Sequence, residues 1–134
     1  MRPSLHSLGR VLLAGIFLRG GLEAFEEPHA RANLAAPVIE RMRPYLPFLP
    51  QEPPTVVQLN ALAQVTAGTL LAAGVLPRLS AFALVGSLVP TTLGGHRFWE
   101  FDDPAQRAAQ RIQFLKNAAI AGGLLTVAFG PRER

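Results

Sequence analysis

The chain has 134 residues, of which 49% are hydrophobic and only 16% are charged, with a mean hydropathy of +0.25. This composition is more apolar than that of a typical soluble domain, and it predicts a small integral membrane protein with one domain over residues 1–134. The net charge of +4 comes mainly from arginines scattered between apolar runs, which argues against nucleic-acid binding. Because the chain has no cysteine, a redox role would need a bound cofactor or a partner protein.

The first apolar run covers residues 5–25. A run of about 20 residues matches a bilayer core of about 30 Å when it forms a helix. Basic residues precede its apolar centre, as they do in a secretory signal peptide. However, no small-residue cleavage pattern follows, and Arg19 and Glu23 continue the helical run. We therefore expect a retained membrane-spanning helix.

A proline-rich segment follows the first run, with seven prolines between positions 26 and 54. Prolines at this density disfavour a long regular helix. Apolar residues nevertheless recur every fourth position from Leu34 to Leu46, which predicts a short helix lying on the membrane surface. Tyr45 and Phe48 would lie near the lipid headgroups. The alternative is an ordinary polar loop.

Two further apolar runs, residues 55–76 and 79–93, are separated only by a short segment that contains Pro77. So short a connection predicts two antiparallel neighbouring helices. The run 79–93 contains Pro90, which removes one backbone hydrogen-bond donor. The freed carbonyl would need Thr91, Thr92 or a neighbouring helix, or the helix would unwind there.

The last apolar run, residues 112–129, contains Lys116 and Asn117. Asp103 and Pro104 predict the start of a helix that continues into this run. A lysine near the bilayer centre costs about 3 kcal/mol on insertion scales, so its surroundings need an explanation. Three remain open: the side chain extends to the interface, it belongs to a structural ion-pair network, or it binds a ligand.

The four predicted spans place many polar residues toward one membrane face and leave the opposite half apolar, apart from Arg10. Lys116 and Glu23 would lie at similar depths from that face. This arrangement predicts an all-α, four-helix integral membrane bundle with a polar cluster at one end. The hypothesised ligand-binding residues of the cluster are Arg19, Glu23, Gln64, Thr92, His96, Lys116 and Asn117.

His96 has two interpretations: it relays protons, or it ends the third membrane helix at the interface. The three histidines lie far apart in the sequence and lack clustered carboxylates, so their spacing predicts no metal site. No residue pattern predicts a catalytic site.

Five sequence elements follow one another along the chain: the opening helix, the proline-rich first loop, the Pro77-Arg78 turn, the Gly94–Glu100 segment GGHRFWE, and the Phe114–Asn117 segment FLKN with the glycines that follow. Together they resemble the DoxX family of small prokaryotic membrane proteins. The resemblance implies a four-helix bundle in the plasma membrane of a prokaryote. In several members it also implies a link to redox biology: a thiosulfate:quinone oxidoreductase, complexes with superoxide dismutase and a sulfurtransferase, or quinone detoxification.

Two functional hypotheses follow from the residues and the resemblance. The first is a non-catalytic membrane subunit that anchors a soluble redox enzyme through its polar end. The second is a membrane protein that binds a quinone-like molecule among its polar residues. A small transporter is a weaker alternative, because no inverted repeat is visible. Self-association into a homo-oligomer stays open.

Overall fold

The computed structural model describes residues 4–131, which form five α-helices and no strand, so the all-α prediction is confirmed for this range. The three residues at each end of the predicted domain lie outside the described residues. The helices are α1 (Leu5–Glu26), α2 (Pro28–Met42), α3 (Pro53–Ala73), α4 (Pro77–Gly95) and α5 (Pro104–Phe129), with a short 3-10 helix at Phe98–Glu100.

Two of the described helices, α1 and α5, begin at a residue whose side chain caps the first turn. The Ser4 hydroxyl accepts a hydrogen bond of 3.1 Å from the Ser7 amide at the start of α1. The Asp103 carboxylate likewise accepts from the Gln106 amide at 3.1 Å, which confirms the predicted start of α5. Helices α2 to α5 all begin with proline, which has no amide to leave unpaired in the first turn.

A turn of three residues joins α3 to α4, which is the tight connection that the sequence predicts. Gly74 ends α3 in the left-handed conformation with φ of 73°, where glycine carries no steric cost. Leu76 also has a positive φ, 47°, immediately before Pro77. The second predicted span therefore ends at Ala73, three residues earlier than the sequence indicated.

Helix α4 continues through Pro90 to Gly95, so the predicted span 79–93 was too short and the helix does not unwind. The Thr91 and Thr92 hydroxyls donate to the carbonyls of Ser87 and Leu88 at 2.9 and 2.7 Å. The carbonyl that Pro90 leaves without a backbone donor is that of Gly86, four residues earlier. The carbonyls of Ser87 and Leu88 are the next two along the chain. The two threonine hydroxyls therefore bond to carbonyls next to the freed one and not to the freed carbonyl itself.

The predicted short helix between Leu34 and Leu46 has different bounds in the structure. Helix α2 starts at Pro28, contains Pro37 and packs against α3 and α4. Its buried residues include Ala32 and Ile39, whereas Leu34 is 50% exposed. Helix α2 therefore packs through Ala32 and Ile39, and the apolar repeat of four does not mark its most buried face.

Helix α1 packs most extensively on α3, α3 packs on α4, and α4 packs on α5, while α1 and α5 touch only slightly. The buried core lies toward the half that the sequence predicts to be apolar. Its members come from all four long helices, and they include Ala14, Phe17, Leu71, Leu84 and Leu124. Arg10 is the exception in this half: it is 8% exposed and lies beside Gly74.

Two of the described helices, α3 and α5, are long and apolar enough to cross a membrane by length and composition. The sequence predicts four spans, which correspond to α1, α3, α4 and α5. Helix α5 begins eight residues before the predicted span 112–129 because Asp103 and Pro104 start it in the polar segment.

Candidate functional site

A closed circuit of neutral polar side chains joins α3 to α4. The Asn60 amide donates to Thr91 Oγ1 at 3.0 Å and accepts from the Ser87 hydroxyl at 2.7 Å. The Gln64 amide donates to the same two hydroxyl oxygens, at 3.0 Å for Ser87 and 3.4 Å for Thr91. Each helix contributes two residues four positions apart, which places them on one face. The circuit supplies two acceptors to the side-chain nitrogen of Gln64, which is only 7% exposed.

A second polar contact joins α4 to α5. The Asn117 side-chain amide donates to Thr92 Oγ1 at 3.0 Å, and both residues are buried. The Thr92 hydroxyl in turn donates to the Leu88 carbonyl. Both side chains therefore have hydrogen-bond partners in the protein, and the pair ties the middle of α5 to α4.

Lys116 does not share this environment, although it is the neighbour of Asn117. It lies on the exposed side of α5, and its ammonium group donates to Gln113 Oε1 at 2.5 Å. Of its three interpretations, the ion-pair network with Glu23 is not seen, because Glu23 pairs with Arg19 and Arg31 among the described residues. One residue corresponds to about 100° around a helix, so when Asn117 faces α4, Lys116 must face outward.

Glu23 is instead shared by two arginines. Arg19 Nε lies 2.9 Å from one carboxylate oxygen, and Arg31 Nη2 of α2 lies 3.5 Å from the other. Glu23 and Arg31 are about half exposed and Arg19 is 80% exposed. The group is a surface ion-pair network that links α1 to α2.

His96 lies at the end of α4, as one of its two interpretations predicts, and its backbone amide donates to the Thr92 carbonyl. The ring Nδ1 is 2.7 Å from Gln110 Oε1 of α5. Beyond it, the rings of Phe98, Trp99 and Phe114 pack edge to face, and the Arg111 guanidinium lies 5.4 Å from the Phe98 ring centre. His96 thus helps to join the α4 terminus to α5.

The seven residues of the predicted cluster therefore lie at five separate locations. Gln64 belongs to the α3–α4 circuit, Thr92 and Asn117 form one pair, and His96 pairs with Gln110. Arg19 and Glu23 lie at the α1–α2 surface, and Lys116 faces outward from α5. The structure brings together two of these pairs, but it does not bring all seven residues to one site.

The sequence interpretation missed Ser87 because it lies in a run that is otherwise apolar. The useful signal is spacing: Ser87 and Thr91 are four residues apart, as are Asn60 and Gln64. Two such pairs on neighbouring antiparallel helices can meet face to face. Arg31, the second partner of Glu23, was also missed, since it lies in the proline-rich segment where no packed helix was expected.

A family model for DoxX matches residues 5–97, which is more than half of the chain. The chain belongs to the DoxX family. The match covers α1 to α4 and includes Gln64, Thr92 and His96, but it ends before Lys116 and Asn117. No curated protein and no solved structure matches the chain.

DoxX members are membrane proteins, so the lipid bilayer is the environment in which the polar groups of this DoxX protein must be judged. In a bilayer, neutral side chains that hydrogen-bond between helices hold the helices together. The α3–α4 circuit and the Thr92–Asn117 pair are of this kind. They use amides and hydroxyls that are already bonded within the protein.

Three clefts open between the described helices of this DoxX protein. One of about 620 Å³ lies between α1 and α5, one of about 330 Å³ lies beside the end of α4, and one of about 450 Å³ lies between α3 and α4. None of these three is lined by any of the seven predicted ligand residues. Among residues 4–131, no three histidine or acidic side chains lie close enough to hold a metal ion.

Proposed function

We propose that this DoxX protein crosses the plasma membrane of a prokaryote with α1, α3, α4 and α5 as a four-helix bundle. The observation that carries the proposal is the apolar outer surface of the bundle: each of the four long helices exposes large apolar side chains. Examples are Leu12, Leu62, Phe82 and Ile112, which are 70%, 54%, 59% and 66% exposed. Exposed apolar surface on every side is costly in water and favourable in lipid.

Within the membrane, we propose a non-catalytic subunit that anchors a soluble redox enzyme. The distribution of polar groups supports a scaffold, because the buried amides and hydroxyls bond to one another. The partner class rests on the family resemblance and is compatible with the absence of cysteine, since a redox role would then need a bound cofactor or a partner. Helix α2 supplies the exposed surface at the polar end on which such a partner would dock.

Purification from native membranes in mild detergent tests the anchor. We expect a soluble redox enzyme to remain bound in stoichiometric amount, identified by mass spectrometry. A chain that repeatedly purifies alone, as a monomer or as a homo-oligomer, would contradict the proposal.

A pair of tryptophan substitutions tests the docking face. Asn33→Trp adds bulk to the exposed side of α2 and should release the partner. Ala73→Trp adds the same bulk at the opposite end of the bundle, where Ala73 is also exposed, and should retain it. Retention by both variants would exclude this part of α2 as the docking face.

The quinone-binding hypothesis receives less support, because the proposed ligand groups have partners within the protein and line none of the three clefts. Its test is the affinity for a short-chain quinone in Lys116→Ala and His96→Ala. Weaker binding in both variants would restore the hypothesis in place of the scaffold. Unchanged affinity in both would remove these two residues from consideration.

A further inference from the structure

A cleft of about 330 Å³ lies at the polar end of the bundle, between the second half of α2 and the chain that follows α4. Its walls are largely apolar. They include Val38, Met42, Leu46 and Leu93. The cleft is separate from the α3–α4 circuit and from the surface network around Glu23.

Two arginines and one glutamate line the cleft. Arg97 Nε pairs with Glu100 at 2.9 Å, and its Nη1 donates to the Leu93 carbonyl at 2.7 Å, so this guanidinium is held in place. Arg41 also lines the cleft, is exposed, and makes no ion pair or hydrogen bond with the other described residues. Two arginines and one glutamate leave one net positive charge, and it belongs to a side chain that is available to an incoming anion.

Two aromatic residues complete the cleft, Tyr45 and Trp99, which are 85% and 48% exposed. Tyrosine and tryptophan concentrate where a membrane protein meets the lipid headgroups, because their rings are apolar and their polar atoms reach water. The cleft therefore combines a headgroup-level rim with apolar walls.

We propose that this cleft binds an acidic phospholipid, with the headgroup phosphate on Arg41 and the glycerol and first acyl carbons against Val38, Met42 and Leu46. Arginine presents a fork of donors that matches a phosphate. The net positive charge favours an acidic lipid over a zwitterionic one. This inference rests on the membrane placement proposed above, but it is independent of any redox partner.

Trp99 is the only tryptophan in the sequence, so its fluorescence reports on the cleft alone. The protein would be placed in phosphatidylcholine vesicles that contain a small fraction of brominated phosphatidylglycerol or, separately, brominated phosphatidylcholine. Bromine quenches tryptophan on contact. We expect stronger quenching by the brominated phosphatidylglycerol at equal mole fraction.

Arg41→Gln should reduce this preference by about fivefold, the enrichment that one basic residue near the headgroups provides. Arg31→Gln is the matched control, since it removes the same charge from the exposed side of the same helix and does not line the cleft. It should retain the preference.

Equal quenching by the two lipids, or equal loss in both variants, would overturn the proposal and leave the membrane placement intact. If neither brominated lipid quenches Trp99, the lipid site is overturned and the placement of Trp99 at the membrane interface is contradicted as well.

Discussion

Helix α3 contacts α1 and α4 by different means on two of its faces. Against α1 it relies on close approach: a Cβ on Gly21 would lie 2.8 Å from Val65 Cγ2 and 3.1 Å from the Ala61 carbonyl oxygen. Against α4 it uses the amide–hydroxyl circuit centred on Asn60 and Gln64. In lipid, apolar burial contributes little to helix association, so helices depend on tight packing and on hydrogen bonds between them. Variants on these two faces of α3 can therefore measure the contributions of packing and of hydrogen bonding separately.

The largest expected effect comes from Gly21→Ala at the close-packed face. The new methyl group meets a backbone carbonyl that cannot move alone, so α1 must shift and the free energy of unfolding should fall by about 1–3 kcal/mol. Unfolding in mixed detergent micelles measures this change.

Gly20→Ala is the control for Gly21→Ala, because a Cβ at Gly20 meets nothing within 4 Å. Since alanine favours a helix over glycine, this variant should be unchanged or slightly more stable. Equal losses at the two glycines would show that α1 and α3 do not approach as closely as described.

At the hydrogen-bonded face, Asn60→Leu should lower the free energy of unfolding by about 1 kcal/mol. The substitution deprives the Ser87 hydroxyl of its acceptor and removes one donor from Thr91. The same unfolding measurement applies, with Leu59→Asn as an exposed comparison on the adjacent position. A stable Asn60→Leu variant would mean that packing alone joins α3 to α4.

A smaller effect is expected at the α4–α5 contact, where Asn117→Leu should cost about 0.6 kcal/mol. Thr92 loses a donor, but its own hydroxyl still donates to the Leu88 carbonyl. Lys116→Leu, the neighbouring outward position, should leave the stability in lipid unchanged or raise it. A larger loss from Lys116→Leu than from Asn117→Leu would contradict the assigned orientation of α5.

The smallest effect is expected at the α1–α2 surface. Glu23→Gln removes the shared partner of Arg19 and Arg31, but these groups are substantially exposed. Their contribution should be at most about 0.5 kcal/mol, and it should fall as salt is added. Unfolding measured at low and high salt checks this, and a loss of several kcal/mol would place the network in a buried environment.

The sequence predicts the long helices well because their apolar runs, capping residues and prolines are local signals. Asp103 marks the start of α5 in the expected way. It is less accurate for α2, where the buried Ala32 and Ile39 fall outside the apolar repeat of four that begins at the exposed Leu34. For Lys116 it leaves three interpretations open, because depth along a helix does not give the direction in which a side chain faces.

The candidate site illustrates the same difference. The sequence predicts the end of the bundle toward which polar residues gather, a prediction that depends only on the order and direction of the helices. Which of them meet depends on the rotation of each helix about its axis, and that is set by contacts such as Gly21 against Ala61. Knowledge of one close approach is needed before Gln64 can be paired with Ser87.

The three-residue turn between α3 and α4 has a consequence for the synthesis of the protein. Closing so short a connection costs little chain entropy, so these two helices can pair as soon as both have left the ribosome. Helix α1 is made earlier but must wait for α3, its main packing partner. We expect nascent chains arrested before Pro53 to crosslink through α1 to lipid or to the insertion machinery. These crosslinks should disappear once the α3–α4 hairpin has emerged, and the absence of native cysteine allows single introduced cysteines to report them.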